Sequence, residues 1–176
     1  AVDLLLQERV PWDAPLEAGR ADETWETEPT ASGPPALAPW IPSPDAAVPQ
    51  MHFLGNGQMS VGISGAGCGG LSWRKIALTR WRPDPTSDSY GTWLYAQDFD
   101  RKRLWSVGRL PAGARCHETK TVFHQHMVEM LQRYEDIAIR MEVVIAPFDD
   151  VEIRRVTVIN ESNTERTVDL TSYAEI

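Results

Sequence analysis

The feature that most restricts this chain is a two-residue period in its second half. Across 137–146, Ile137, Ile139, Met141, Val143 and Ile145 fall on one face while Arg140 and Glu142 fall on the other. Only a strand buried on one side satisfies that spacing, because successive Cβ atoms in a strand point to opposite faces. Segments 118–125, 127–134, 151–160 and 166–174 resemble it in length and in their β-branched and aromatic content, and turn signals separate them, such as Pro147-Phe148-Asp149-Asp150 and Asn160-Glu161-Ser162-Asn163. Segment 127–134 also scores as a short helix, but Glu135-Asp136 reads as a tight turn into the next strand and favours a hairpin. Strands joined by such short turns pair antiparallel, so the expected class is all-β, an antiparallel β-sandwich.

The same pattern begins at Met51. Gly55-Asn56-Gly57 suits a hairpin turn of type I′, whose two central residues need positive φ. Strands are then expected at 58–64, once or twice within 71–81, at 92–97 and at 104–107, with a proline-broken loop over 83–91. Residues 1–50 differ: they hold nine of the thirteen prolines and nine acids against two bases. With no sustained hydrophobic period to bury, this stretch is read as an extended linker. The expected division is therefore a Pro-rich acidic linker over 1–49 and a β-sandwich domain over 50–176. Trp12, Trp25 and Trp40 are more than a loose tether needs, and they would pin the linker to a surface.

The formal charge of −8 is carried almost wholly by that first stretch, since residues 51–176 hold sixteen acids and fifteen bases. A nearly neutral folded part gains little from phosphate neutralisation, which argues against nucleic acid as a partner. No run approaches the roughly 20 apolar residues of a membrane span, the first residues lack the pattern of a signal peptide, and two cysteines make no disulfide framework. The expected compartment is the cytoplasm, or the cytosolic side of a membrane-bound parent enzyme.

Gly65, Gly67 and Gly70 match the spacing of a dinucleotide-binding fingerprint, but Leu71-Ser72-Trp73-Arg74 is strand-like where that motif needs a helix. A bend where two backbones approach closely is the better reading. His124 and His126 share one side of a strand without a third ligand placed by spacing, so no metal and no cofactor is expected. Asp84, Asp88, Asp98 and Asp100 lie in turns, where aspartate is common for local hydrogen bonding, and no catalytic residue is assigned. The aromatic and basic residues are more informative. Trp73, Trp81, Trp93 and Trp105, with Arg74, Arg80, Arg82 and Asp84, offer flat rings that stack on sugar faces, bordered by hydrogen-bonding groups. They are candidates for a carbohydrate site or a domain interface, against the plainer reading that Trp81 and Trp93 are sandwich core.

These residues also carry a resemblance. The stretch HFLGNGQMSVGISGAGCGGLSWRKIALTRWRPDPTSDSYGTWLYAQD resembles the start of the N-terminal β-sandwich domain of glycoside hydrolase family 94, formerly glycosyltransferase family 36. Within that family it is similar to the C-terminal region of cyclic β-1,2-glucan synthases and to cellobiose and chitobiose phosphorylases. LLLQERVPWDAPL resembles the segment that leads into this sandwich, and DDVEIRRVTVINESNTERTVDLTSYAEI resembles its later strands. Cys68 and Gly62 depart from the usual residues at their positions. The resemblance implies a supersandwich-like fold with strands beyond this sequence, and hence an open sheet edge. It also implies a non-catalytic module of a β-glucan-processing enzyme, whose general acid and phosphate-binding residues belong to a catalytic α/α barrel. The partners so implied are that barrel, a β-glucan oligosaccharide or polysaccharide and a second copy in a homodimer; an independent carbohydrate-binding module is the alternative.

Overall fold

The computed structural model describes residues 37–43, 46–80 and 91–176, all inside the unit Ala36–Ile176, and builds them from strands and turns. In chain order the strands are β1 (Met51–Gly55), β2 (Met59–Ser64), β3 (Gly69–Trp73), β4 (Ile76–Ala77), β5 (Thr92–Asp98), β6 (Arg103–Ser106), β7 (Glu118–Phe123), β8 (Val128–Tyr134), β9 (Ile137–Ile145), β10 (Glu152–Asn160) and β11 (Val168–Ala174). One sheet runs β1-β2-β3-β5-β11, with β4 beside β3 and β6 beside β5; the other runs β10-β9-β8-β7. Every pairing is antiparallel. The fold is the antiparallel β-sandwich that the period of two requires.

The alternation in β9 sorts as expected. Ile137, Ile139, Met141 and Val143 are at most 2% exposed and join Val128 and Met130 of β8, Phe123 of β7, and Leu54, Val61, Ile63, Leu94 and Ala96 of the facing sheet in one core. Trp105 lies fully buried in that core and stacks on Tyr134, with ring centroids 4.9 Å apart. Removing aromatic and branched side chains from water on this scale is the main force holding the sheets together. Polar side chains also link the two sheets and their loops. Buried Gln132 receives the Gly108 amide at 2.8 Å and donates to Cys116 Sγ at 2.7 Å, and Thr121 Oγ1 donates to the Gly65 carbonyl at 2.9 Å.

The glycine run does what a close backbone approach demands. Gly67 has φ of 101°, and a Cβ there would stand 2.9 Å from the Gly108 Cα, so no other residue fits without displacing backbone. The Gly-Asn-Gly turn differs from expectation. Its central residues are Gly57 and Gln58, and of the two only Gly57, with φ of 91°, is left-handed. That is the pattern of a type II′ turn rather than type I′. Asn56 is not left-handed and instead uses its side chain, Oδ1 accepting from the amides of Gln58 at 3.0 Å and Met59 at 2.8 Å.

Of the segment read as linker, residues 37–43 and 46–49 are described and the rest lies outside the described residues. Trp40 exchanges two backbone hydrogen bonds with Phe123, at 2.9 and 2.7 Å, and sets its ring edge-on to the Phe123 ring at 5.2 Å. Pro42 is buried against Gly65. At the other side of the sandwich, β10 ends one sheet and β11 ends the other, and both carry exposed apolar side chains, among them Ile153, Val158, Ile159, Leu170 and Tyr173.

Candidate functional site

Three turns meet at one end of the sandwich, and two of the residues singled out by the sequence lie there. β3 ends at Trp73, and Arg74 turns the chain with φ of 53°, its amide donating to the Gln58 carbonyl at 2.5 Å. The guanidinium then folds back over the indole, with Cζ 4.5 Å from the ring centroid, and donates to Gln58 Oε1 at 3.0 and 3.3 Å. A cation held over an indole face is attracted by the ring quadrupole, so the pair holds its own geometry at the surface. The indole N–H donates to Asp150 Oδ2 at 2.6 Å, reaching the loop between β9 and β10. Asn56 reaches the same loop, its amide donating to the carbonyls of Ala146 at 3.0 Å and Asp149 at 2.9 Å.

This arrangement decides what Trp73 can offer. Arg74 covers one face of the ring and Asp150 takes the N–H, which leaves one face for a partner. Trp93 is elsewhere. It sits on β5 opposite Tyr173, stacked on it at 5.7 Å, and is 5% exposed. Its neighbours Leu94 and Ala96 form part of the core cluster, so alternation places the Trp93 ring on the other face of the sheet. Trp81, Arg82 and Asp84 lie outside the described residues. The structure thus brings Trp73 and Arg74 together and keeps Trp93 apart from them.

The acids of the described turns have structural partners. Asp98 receives the Arg101 amide at 3.1 Å and pairs with Arg166, and Asp100 receives the Thr167 amide at 2.7 Å. His124 and His126 have ring centroids 6.3 Å apart, and among the described residues no group of three or more His, Cys, Asp or Glu side chains gathers as metal ligands do. On the outer face of the β7 to β10 sheet, Arg140 bridges Glu129 at 2.9 Å and Glu142 at 3.2 Å, and Arg155 donates to Glu142. The Arg155 hydrogen bond holds the Glu142 carboxyl below the usual carboxylate range, against the opposing effect of desolvation. Partial burial pushes the Cys116 thiol up, so it is a poor nucleophile at neutral pH.

Sequence reasoning missed Asp150, which lies 77 residues from the indole it holds, and it missed Phe53. Phe53, 68% exposed, separates two clefts at the β1 side of the sandwich, one of about 430 Å³ and one of about 260 Å³. The signal for Phe53 was a lone aromatic with a glycine on the paired strand, visible only once the register of β1 on β2 is fixed.

The sequence model described as "Glycosyl hydrolase 94, supersandwich domain" matches residues 38–176. The cyclic beta-(1,2)-glucan synthase NdvB of Rhizobium meliloti (strain 1021) is 32% identical over 181 aligned residues, covering 99% of this chain and 6% of that protein. The N,N'-diacetylchitobiose phosphorylase of Vibrio proteolyticus is 28% identical over 141 aligned residues, covering 77% of this chain and 18% of that protein. The chain therefore spans a small part of the length of both relatives.

Proposed function

The chain belongs to glycosyl hydrolase family 94 as its supersandwich domain, and from that premise we propose that it is a non-catalytic, carbohydrate-associated module of a β-glucan-processing enzyme. In this reading it packs against a catalytic α/α barrel and holds loops near the barrel's glucan site. The observation that carries the reading is the pair of outermost strands. β10 and β11 present Ile153 at 49%, Val158 at 40%, Ile159 at 47%, Leu170 at 41% and Tyr173 at 46% exposure. Val158 and Leu170 pair with the core residues Ile139 and Ala96, so the apolar face left open there continues the sandwich interior and invites burial by further strands or by a neighbouring domain. Two similar proteins named as a glucan synthase and a chitobiose phosphorylase support carbohydrate as the substrate class.

The end formed by Trp73, Arg74 and Asp150 fits the same role. A turn cluster whose side chains are already locked to one another presents a preformed surface, at little further entropic cost on docking. The test is to mix the 176-residue chain with the separately purified barrel portion of the chitobiose phosphorylase relative and of the glucan synthase relative. Sedimentation should detect a complex that Ile153→Lys with Leu170→Lys abolishes. Absence of any complex with both barrels would refute the role, and turnover of β-glucan by the chain alone would refute its non-catalytic character.

A further inference from the structure

We propose that the two clefts sharing Phe53 are a binding site for a neutral oligosaccharide, separate from the Trp73 cluster. On β1, Phe53 pairs with Gly62 of β2, and a Cβ on Gly62 would stand 2.7 Å from Phe53 Cε1. The missing side chain is what lets the ring lie down on the sheet while remaining 68% exposed. An aromatic ring seated in this way presents its free face as a fixed platform, and its position is set by backbone rather than by a flexible neighbour.

The lining on either side of the ring has the chemistry of a polyol site. The larger cleft, about 430 Å³, is bounded beside Phe53 by Gln125 and His126, by Gly55, and by the apolar residues Leu54, Ile145 and Pro147. The smaller, about 260 Å³, continues across the outer face of the sheet, over Gly62, Gly70 and the hydroxyls of Ser60 and Ser72, which lie 2.8 Å apart. The larger volume falls within the range of about 300–1,000 Å³ usual for small-molecule sites. Among the described residues that line the two clefts none is charged. A phosphorylated or carboxylated ligand would be desolvated there without a counter-charge. A pyranose chain meets both requirements, since its C–H faces stack on a ring and its hydroxyls both donate to and accept from amide, imidazole and serine groups. Its repeat also explains two clefts with one ring between them, each holding a sugar unit.

Choosing β-glucan as the probe rests on the function proposed above, whereas the neutral-polyol character rests on the lining alone. The experiment is titration of the isotope-labelled 176-residue chain, followed by NMR amide shifts, with linear β-1,2-gluco-oligosaccharides, cello-oligosaccharides, N,N'-diacetylchitobiose and, as a charged comparison, glucose 6-phosphate. Expected is saturable binding of one or more neutral sugars with a Kd on the order of 1 mM, with shifts in Phe53, Gly62, Gln125 and His126 and none specific to glucose 6-phosphate. Phe53→Ala, at an exposed position, keeps the fold and weakens binding about tenfold or more, while Gln125→Ala weakens it less. Three outcomes overturn the proposal: no neutral sugar binds, binding survives Phe53→Ala, or Phe53→Ala abolishes self-association of the chain instead, which would make the ring a protein contact. Sugar binding at Phe53 with no barrel complex would defeat only the docking role, and the converse would defeat only this site.

Discussion

Replacing Asp98 by alanine strands a buried cation, and the consequence can be worked from the structure. Asp98 closes β5, and its side chain is 4% exposed, as is that of Arg166, to which it is hydrogen-bonded. Its other oxygen receives the Arg101 amide at 3.1 Å. The next carboxylate available to Arg166 is Asp100, whose Oδ2 is 3.9 Å from Arg166 Nε. Breaking a buried pair from one side costs about 3–5 kcal/mol, because the remaining charge keeps its desolvation and loses its partner. The lost turn hydrogen bond adds about 1 kcal/mol, and the nearness of Asp100 offsets a similar amount. With a urea m-value of about 2 kcal/mol/M, Asp98→Ala lowers the unfolding midpoint by about 1.5–2.5 M. The decisive control is Asp98→Leu with Arg166→Met, which removes both charges and restores most of the loss, since a well-packed apolar pair is often neutral against a buried ion pair. The reasoning is refuted if Asp98→Ala stays within about 1 kcal/mol of the parent, or if the double variant is as unstable as the two single variants added together.

Other expectations follow from the same geometry. Gly67→Ala forces a side chain into a left-handed residue and against the Gly108 backbone, and should cost about 1–3 kcal/mol by urea unfolding. Glu142 has its folded pKa depressed by Arg155, so its contribution is present above the ordinary carboxylate value of 4.5 and is lost as pH falls through the lower folded value. Glu142→Gln should therefore flatten the acid limb of a stability-against-pH curve, and an unchanged limb would argue against the Arg155 pairing. Trp40→Ala removes an edge-on aromatic contact worth about 0.5–1.5 kcal/mol. Amide exchange should quicken at Trp40 and Phe123, whose amides bond to each other's carbonyls, with little change in β9.

The strand layout was readable from the sequence because each segment carries its own period and its own stops. The β9 alternation and the turns that bound β8, β9 and β10 are local facts, and from β5 onward the observed strands begin and end within about two residues of those expected, whereas the strand expected up to 81 stops at Ala77. Register and parity were less readable. Thr92-Trp93-Leu94-Tyr95-Ala96 is apolar or bulky at nearly every position, so nothing in it says which alternate residues face the core. Pairing with β11 and packing against the other sheet turn Leu94 and Ala96 inward and Trp93 outward onto Tyr173. The turn type at Gly57 was misjudged for a related reason: the register pairs Gly55 with Ser60, which shifts the central pair one residue along from the glycines that bracket Asn56.

The same limit governs the site, and it explains why tryptophan drew attention away from Phe53. Counting aromatic residues rewards tryptophan, the largest ring and with seven copies the most numerous here, but availability depends on what the fold does with each one. Trp73 has its N–H taken by Asp150 and one face taken by Arg74, and Trp93 and Trp105 are buried. Phe53 has no polar atom to be claimed, sits on the first strand of its sheet, and lies over a residue that has no side chain. A glycine at 62, inside β2, reads in isolation as a departure from good strand packing. Paired with Phe53 across the β1–β2 hairpin, the departure becomes a seat for an exposed ring. That converts the oddity into a test of its own: Gly62→Ala should tilt Phe53 off the sheet and weaken sugar binding as Phe53→Ala does, whereas a glycine present only through loose packing would tolerate alanine with binding intact.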